Sequence, residues 1–237
     1  PGRTALGIRP DFEGGSVAEG SAAGFRVVAL GRDLAPVAAD LDWTLNRVQT
    51  DYQWFAIGGD WSWEPVTRRS RVASGTLSTT AEGPAALSVP VDWGSYELVL
   101  RTPDGAESSI PFDAGWGAAG AGSDTPDRLR VTLDKPAYRP GETARLSIEA
   151  AADGVALVSV MSNRLISLQS VPVTAGRNEV ALPVTDDWDA GVYVAASAIR
   201  PLSQDAGHAP IRALGIAPAA VDPGQRVLAA TLTAPAE

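Results

Sequence analysis

The feature that most limits the fold is a two-residue rhythm of apolar side chains, held over short runs and broken by Gly, Pro, Asp and Asn. FRVVAL (25–30), YELVLR (96–101), LRVTL (129–133), ARLSIEA (144–150) and VYVAASAI (192–199) all carry it. Successive side chains of a strand point to opposite faces, so each run describes a strand with one face inward. Several such runs with regular turn signals describe antiparallel sandwiches. No stretch shows the rhythm of an amphipathic helix, and the Ala-rich segment 114–122 holds too much Gly to form one. The expected fold class is all-β.

The pattern occurs in duplicate. VAEGSAAGFRVV (17–28) and YRPGETARLSIE (138–149) each place a Gly, a large apolar residue five positions later (Phe25, Leu146) and a β-branched one at seven (Val27, Ile148). LSVPVDWGSYELVL (87–100) is answered by VALPVTDDWDAGVYVAASAI (180–199), each with an apolar-Pro-Val, an Asp-Trp, a Gly and a Tyr that opens a strand. Two tandem antiparallel β-sandwiches follow, of the immunoglobulin or fibronectin III general type, spanning 1–116 and 127–220. The Gly/Ala-rich stretch 117–126 is the connector, and 221–237 is a candidate opening strand of a following domain. A Tyr just after a Gly-containing turn can bury its ring and return its hydroxyl to a loop carbonyl, the tyrosine-corner arrangement. Tyr96 and Tyr193 are the candidates, with Trp93 and Trp188 closing the ends of the two cores.

DYQWFAIGGDWSWEPV (51–66) puts five aromatic rings into sixteen residues. Read as a hairpin about Gly58-Gly59, it places Tyr52 and Trp54 on one face of a strand, Trp61 and Trp63 on one face of the next, and Trp54 opposite Trp63. The rings are either a cross-strand structural cluster, with Phe55 on the other face, or a sugar-stacking platform. The structural reading is the favoured one.

Chemistry is harder to find. The single histidine, His208, sits in a Gly/Pro-flanked loop with no nucleophile setting, and one His alone does not build a zinc site. There is no Cys, hence no disulfide, thiol nucleophile or thiolate metal site. Asp124 and Asp127, and the cluster Asp186, Asp187 and Asp189, lack the spacing of a calcium loop and read as turn and strand-end residues. No catalytic residue, metal ligand or cofactor is expected. A formal charge of −9 without a basic stretch repels phosphate backbones, so nucleic acid is not an expected partner. No run of apolar residues is long enough to insert in a membrane. The opening Pro1-Gly2-Arg3, with neither initiator Met nor signal segment, suggests a piece of something longer.

In that order along the chain, DYQWFAIGGDWSWEPV, VDWGSYELVL, FDAGW, TPDRLRVTLDKPAYRPGETARLSI, VTDDWDAGVYVAASAIRP and PIRALGIAP resemble the macroglobulin-like domains of bacterial alpha-2-macroglobulins. The likeness runs over nearly the whole chain. It implies a scaffold fragment of a large periplasmic inhibitor of endopeptidases, in some forms anchored to the inner membrane through a lipoprotein N-terminus. Such a protein serves bacterial host defence by trapping proteases after they cut a bait segment. Its implied partners are the neighbouring domains of the parent chain and, through the whole parent, proteases. The CxEQ thioester of many members needs a Cys, which this chain lacks. No segment stands out as bait; the connector is conceivable but reads more simply as a linker. The competing reading is a tandem Ig-like carbohydrate-binding or adhesion module of a cell-surface protein, which requires exposed Trp54, Trp61 and Trp63.

Overall fold

The computed structural model describes residues 4–58, 60–116, 125–201, 210–222, 224, 230 and 231, with the backbone alone at Trp61. His208, Asp124 and most of the connector and tail lie outside the described residues.

The first half forms β1 (Ala5–Pro10), β2 (Ser16–Val17), β3 (Ser21–Leu30), β4 (Ala39–Ile57), β5 (Asp60–Thr79), β6 (Ala85–Val91), β7 (Gly94–Arg101) and β8 (Glu107–Ala114). The second forms β9 (Arg130–Leu133), β10 (Ala137–Tyr138), β11 (Thr143–Ala150), β12 (Gly154–Met161), β13 (Leu165–Val173), β14 (Gly176–Pro183), β15 (Gly191–Ile199) and β16 (Arg212–Val221). Each half builds a three-stranded and a five-stranded sheet. The orders are β1-β3-β6 and β2-β8-β7-β4-β5 in the first, and β9-β11-β14 and β10-β16-β15-β12-β13 in the second. Shifting every strand number of the first half by eight reproduces the second, down to the short parallel pairings β2 with β8 and β10 with β16. The duplicated sequence pattern is therefore a duplicated topology, and the protein is an all-β tandem of antiparallel sandwiches.

Alternation explains where the cores lie. In β3 the inward positions Ala23, Phe25, Val27 and Ala29 are fully buried, and in β11 so are Ala144, Leu146 and Ile148. Each sandwich closes over its own cluster, with Phe25, Leu45, Leu98 and Phe112 in the first and Leu146, Ile148, Leu182 and Trp188 in the second. Trp93 and Trp188 are both buried.

The equivalence breaks at the tyrosines. Tyr96 is buried and its hydroxyl donates to the Asp92 carbonyl at 3.0 Å, a tyrosine corner. Tyr193, expected to do the same, is instead 55% exposed. In β7 the inward side chains include Tyr96 and Leu98; in β15 they are Val192, Val194 and Ala196, so the strand enters in the opposite phase. A 3-10 turn, Asp186–Trp188, followed by Asp189 in the left-handed region (φ 49°), delivers the chain to the sheet that way. A one-residue change of phase sends every side chain of a strand to the other face. The space beside Trp188 is filled by Tyr138, edge-on at 6.3 Å. Tyr138 donates to Asp134 Oδ1 at 2.7 Å and accepts from the Lys135 N–H at 3.1 Å, doing for this half what Tyr96 does for the other. The Asp134 carboxylate is shared, since the Arg145 N–H also donates to Oδ1, at 2.8 Å. Burial raises the pKa of both Tyr96 and Tyr138.

Strand β16 runs on to Val221, which pairs with Tyr138, so Val221 belongs to the second sandwich; most of the remaining stretch read as an opening strand, 222–237, lies outside the described residues.

Candidate functional site: the junction of the two sandwiches

Among the described residues no three His, Cys, Asp or Glu come together to hold a metal ion. The Asp187 carboxylate pairs with Arg164, and the Asp189 backbone N–H donates to the Asp186 backbone carbonyl, so the cluster lies in a turn that carries one ion pair. The best-built polar constellation is the seam between the halves.

It begins at the Asp92-Trp93 corner between β6 and β7. Gly94 has φ 149°, and Arg47 on β4 donates from Nη2 to the Trp93 carbonyl at 2.9 Å, fixing the corner. The indole points away from its own core and donates from Nε1 to Thr132 Oγ1 of β9 at 2.6 Å, with only 4% of the Trp exposed. Two guanidinium groups of the second sandwich lie against that indole, Arg177 at 5.2 Å and Arg130 at 5.8 Å from a ring centroid. Such contacts contribute about 0.5–2 kcal/mol each, more as water is excluded. Both arginines reach back to carboxylates of the first sandwich. Arg130 bonds Asp113 and Ser95, which are themselves linked across β7 and β8 at 2.6 Å. Arg177 holds Glu19 at 2.8 Å while also touching Ser147 and Glu179. These pairs are only partly exposed, so salt screens them less than ordinary surface pairs.

Backbone completes the seam. Trp116 and Leu133 exchange hydrogen bonds of 2.9 and 2.6 Å, so chain on either side of the connector is laddered together. The Trp116 ring packs against the second core. Gly115 sits at φ 118° with Trp93 Cδ1 and Thr132 Oγ1 at 3.1 and 3.2 Å from where a Cβ would stand, a position open only to glycine.

Of the aromatics singled out from sequence whose side chains are described, only Trp93 takes part in this seam. Trp188 closes the second core, Tyr96 the first, and Tyr193 faces outward. Trp54 pairs with Trp63 across the hairpin, in the register read from the sequence. Strand β4 pairs with β7 only from Asp42 to Val48, so the remainder of the hairpin is a two-stranded arm about 30 Å long. On it Tyr52 meets Trp63 edge to face (5.4 Å, 85°), and Tyr52, Trp54 and Trp63 are half-buried. Sugar stacking needs coplanar rings open on one face; perpendicular rings buttressing each other do not supply that, which counts against the carbohydrate-binding reading.

The junction residues other than Trp93 left no mark a sequence reader could use. Glu19 and Arg177 are 158 positions apart, and each looks like an ordinary strand-end charge.

Two copies of one sandwich clamped through a buried indole define a tandem β scaffold. The family models agree with that division: residues 7–116 match the family described as Bacterial macroglobulin domain 6, and 129–237 match Alpha-2-macroglobulin bait region domain. An alpha-2-macroglobulin of Xylella fastidiosa (strain Temecula1) is 32% identical over 242 residues, covering 99% of this chain and 15% of that protein. That of Escherichia coli K12 is 30% identical, covering 89% of this chain and 14% of the relative. Among solved structures, the native conformation of the E. coli alpha-2-macroglobulin aligns with 93% of this chain and 15% of its own, at 28% identity and TM-score 0.48. The Salmonella alpha-2-macroglobulin reacted with methylamine aligns with 91% of this chain and 15% of its own, at 29% identity and TM-score 0.45. The chain belongs to the bacterial alpha-2-macroglobulin family, and it spans about 15% of the length of the curated relatives it matches. The connector, weighed from sequence as bait, falls between the two matched regions.

Proposed function

We propose that this tandem is the stretch of a periplasmic protease-trapping inhibitor in which a bait-bearing sandwich is held on a scaffold sandwich. The observation that carries the reading is the seam at Trp93. It ties the half matching a bait region domain to the half matching a macroglobulin domain through a buried hydrogen bond and two charge pairs. Sandwiches so joined pass a local change on as a rigid-body movement, the usual repertoire of packed domains. Cleavage of the second half by an endopeptidase would then be felt by the first.

The test uses the full-length polypeptide and trypsin. A trapped protease is expected to co-elute with the inhibitor and to keep its activity on a small chromogenic peptide while losing it on casein. Trypsin that elutes freely and digests casein at its normal rate would refute the proposal. Trp93→Ala is expected to leave the cut intact and impair the retention of protease.

A further inference from the structure

The five-stranded sheet of the second sandwich has an outer face that the described residues leave uncovered. Three successive outward rungs cross it. Leu214, Ser197, Leu157 and Ser170 form one, and Ile216, Ala195, Ser159 and Leu168 the next. Pro218, Tyr193, Met161 and Leu165 form the third. None holds a charged residue, although the chain carries a net charge of −9. Leu214, Ile216, Leu165 and Leu168 are each about half exposed or more. The equivalent sheet in the first sandwich shows that the topology does not require this. Its outer face carries Arg69, Arg71, Glu97, Arg101 and Glu107, with ion pairs of 2.7 Å (Arg69 to Glu97) and 2.6 Å (Arg101 to Glu107). Tyr193, turned outward by the phase of β15, adds its ring to the apolar face.

The dimensions indicate what covers it. Four strands about 4.8 Å apart and three rungs about 6.7 Å apart make a patch of about 400 Å². That reaches the size at which apolar patches on soluble domains mark contacts. Two copies face to face would bury only about 800 Å², short of the roughly 1,200 Å² of a stable association between free molecules. It lies within the range of roughly 600–1,500 Å² that suffices between domains of one polypeptide, where tethering supplies the local concentration. The matched relatives are several times longer than this chain, which covers 15% of their length. We propose that this face is the docking surface for another domain of the same polypeptide, one that presents an uncharged apolar surface to Leu168, Tyr193 and Ile216. The inference rests on the reading of the chain as part of a longer inhibitor.

Leu168→Cys and Ile216→Cys are made singly in the 237-residue chain, which has no cysteine of its own, and in the full-length polypeptide. Maleimide labelling is followed by peptide mass, so that any other thiol is counted separately, and folding is checked by circular dichroism. Both positions are expected to label at least about tenfold more slowly in the full-length polypeptide than in the short chain. Equal rates in the two would overturn the proposal. So would slow labelling in the short chain together with a dimeric mass by light scattering, which would give the face to a second copy. Trapping of trypsin by the same full-length variants is scored separately. Trapping without protection removes only the docking surface, and protection without trapping removes only the functional reading.

Discussion

In the first sandwich the chain turns through Trp93-Gly94 and sends Tyr96 inward; in the second it passes through a 3-10 turn and Asp189 and sends Tyr193 outward. The sixteen described strands obey one topology, yet the matching tryptophans have different employment. Trp188 belongs to its own core, while Trp93 leaves its core to be received by the neighbour. A duplicated fold preserves strand order because the hydrogen-bond ladders and the alternation preserve it. The corner between strands is free to drift, and drift there decides which rings are spent inside and which become contacts.

The largest test of that contrast is Trp188→Ala, expected to destabilise the second sandwich by about 3–5 kcal/mol, as for other buried aromatic truncations. Tyr193→Ala in the same half should cost about 0.5 kcal/mol or less. Urea unfolding of the two variants checks both, and equal costs would mean that the phase assigned to β15 is wrong. Next comes Gly115→Ala. With φ 118° and two junction atoms within 3.2 Å of the added carbon, it should cost about 1–3 kcal/mol and split one cooperative transition into two. A single unshifted transition would show that the seam does not couple the halves.

Smaller again are the hydroxyl deletions. Tyr138→Phe leaves the Lys135 N–H without its acceptor and removes one donor from Asp134, about 1–3 kcal/mol; Tyr96→Phe loses only the bond to the Asp92 carbonyl, about 0.5–1.5 kcal/mol. Thermal melts with probes in each half would reveal a reversed order. The smallest effect is on pH dependence. Glu142 is held below its ordinary pKa by the Arg139 N–H and then by Lys135, and Asp222 by the Gly224 N–H and then by Arg139. Groups whose pKa falls on folding contribute stability above the unfolded value, and that stability is lost as pH drops through the folded one. Glu142→Gln should therefore lower stability slightly at neutral pH, leave it unchanged once the carboxylate is protonated in both states, and so flatten the acid limb that falls below about pH 4.5. An unaltered acid limb in denaturant titrations would rule that contribution out.

Much of this was legible in the sequence because alternation is a local code. Gly20 followed by Phe25 and Val27, and Gly141 followed by Leu146 and Ile148, place side chains that are all fully buried. The Gly-Gly pair in the sequence at 58–59 predicts the pairing of Trp54 with Trp63 that is observed. The tyrosine pair shows where the code ends. Gly-Ser-Tyr and Gly-Val-Tyr look alike, but the phase of a strand is set by the turn before it, and the left-handed Asp189 has no reliable one-dimensional signature. Tyr138 carries no such signal because β10 is two residues long, too short to show alternation. The seam was illegible for another reason: an arginine bound for a neighbouring domain has the same spacing as one bound for solvent.

The ladder between Trp116 and Leu133 sets the standing of the connector between them. A cut anywhere from 117 to 124 would remove the covalent tether and leave in place the hydrogen bonds, ion pairs and ring contacts described across the seam. The clipped chain would be a complementation pair, two pieces with separate cores and matched edges, whose dissociation depends on dilution. A gel under denaturing conditions would count two bands where a sizing column still counts one particle.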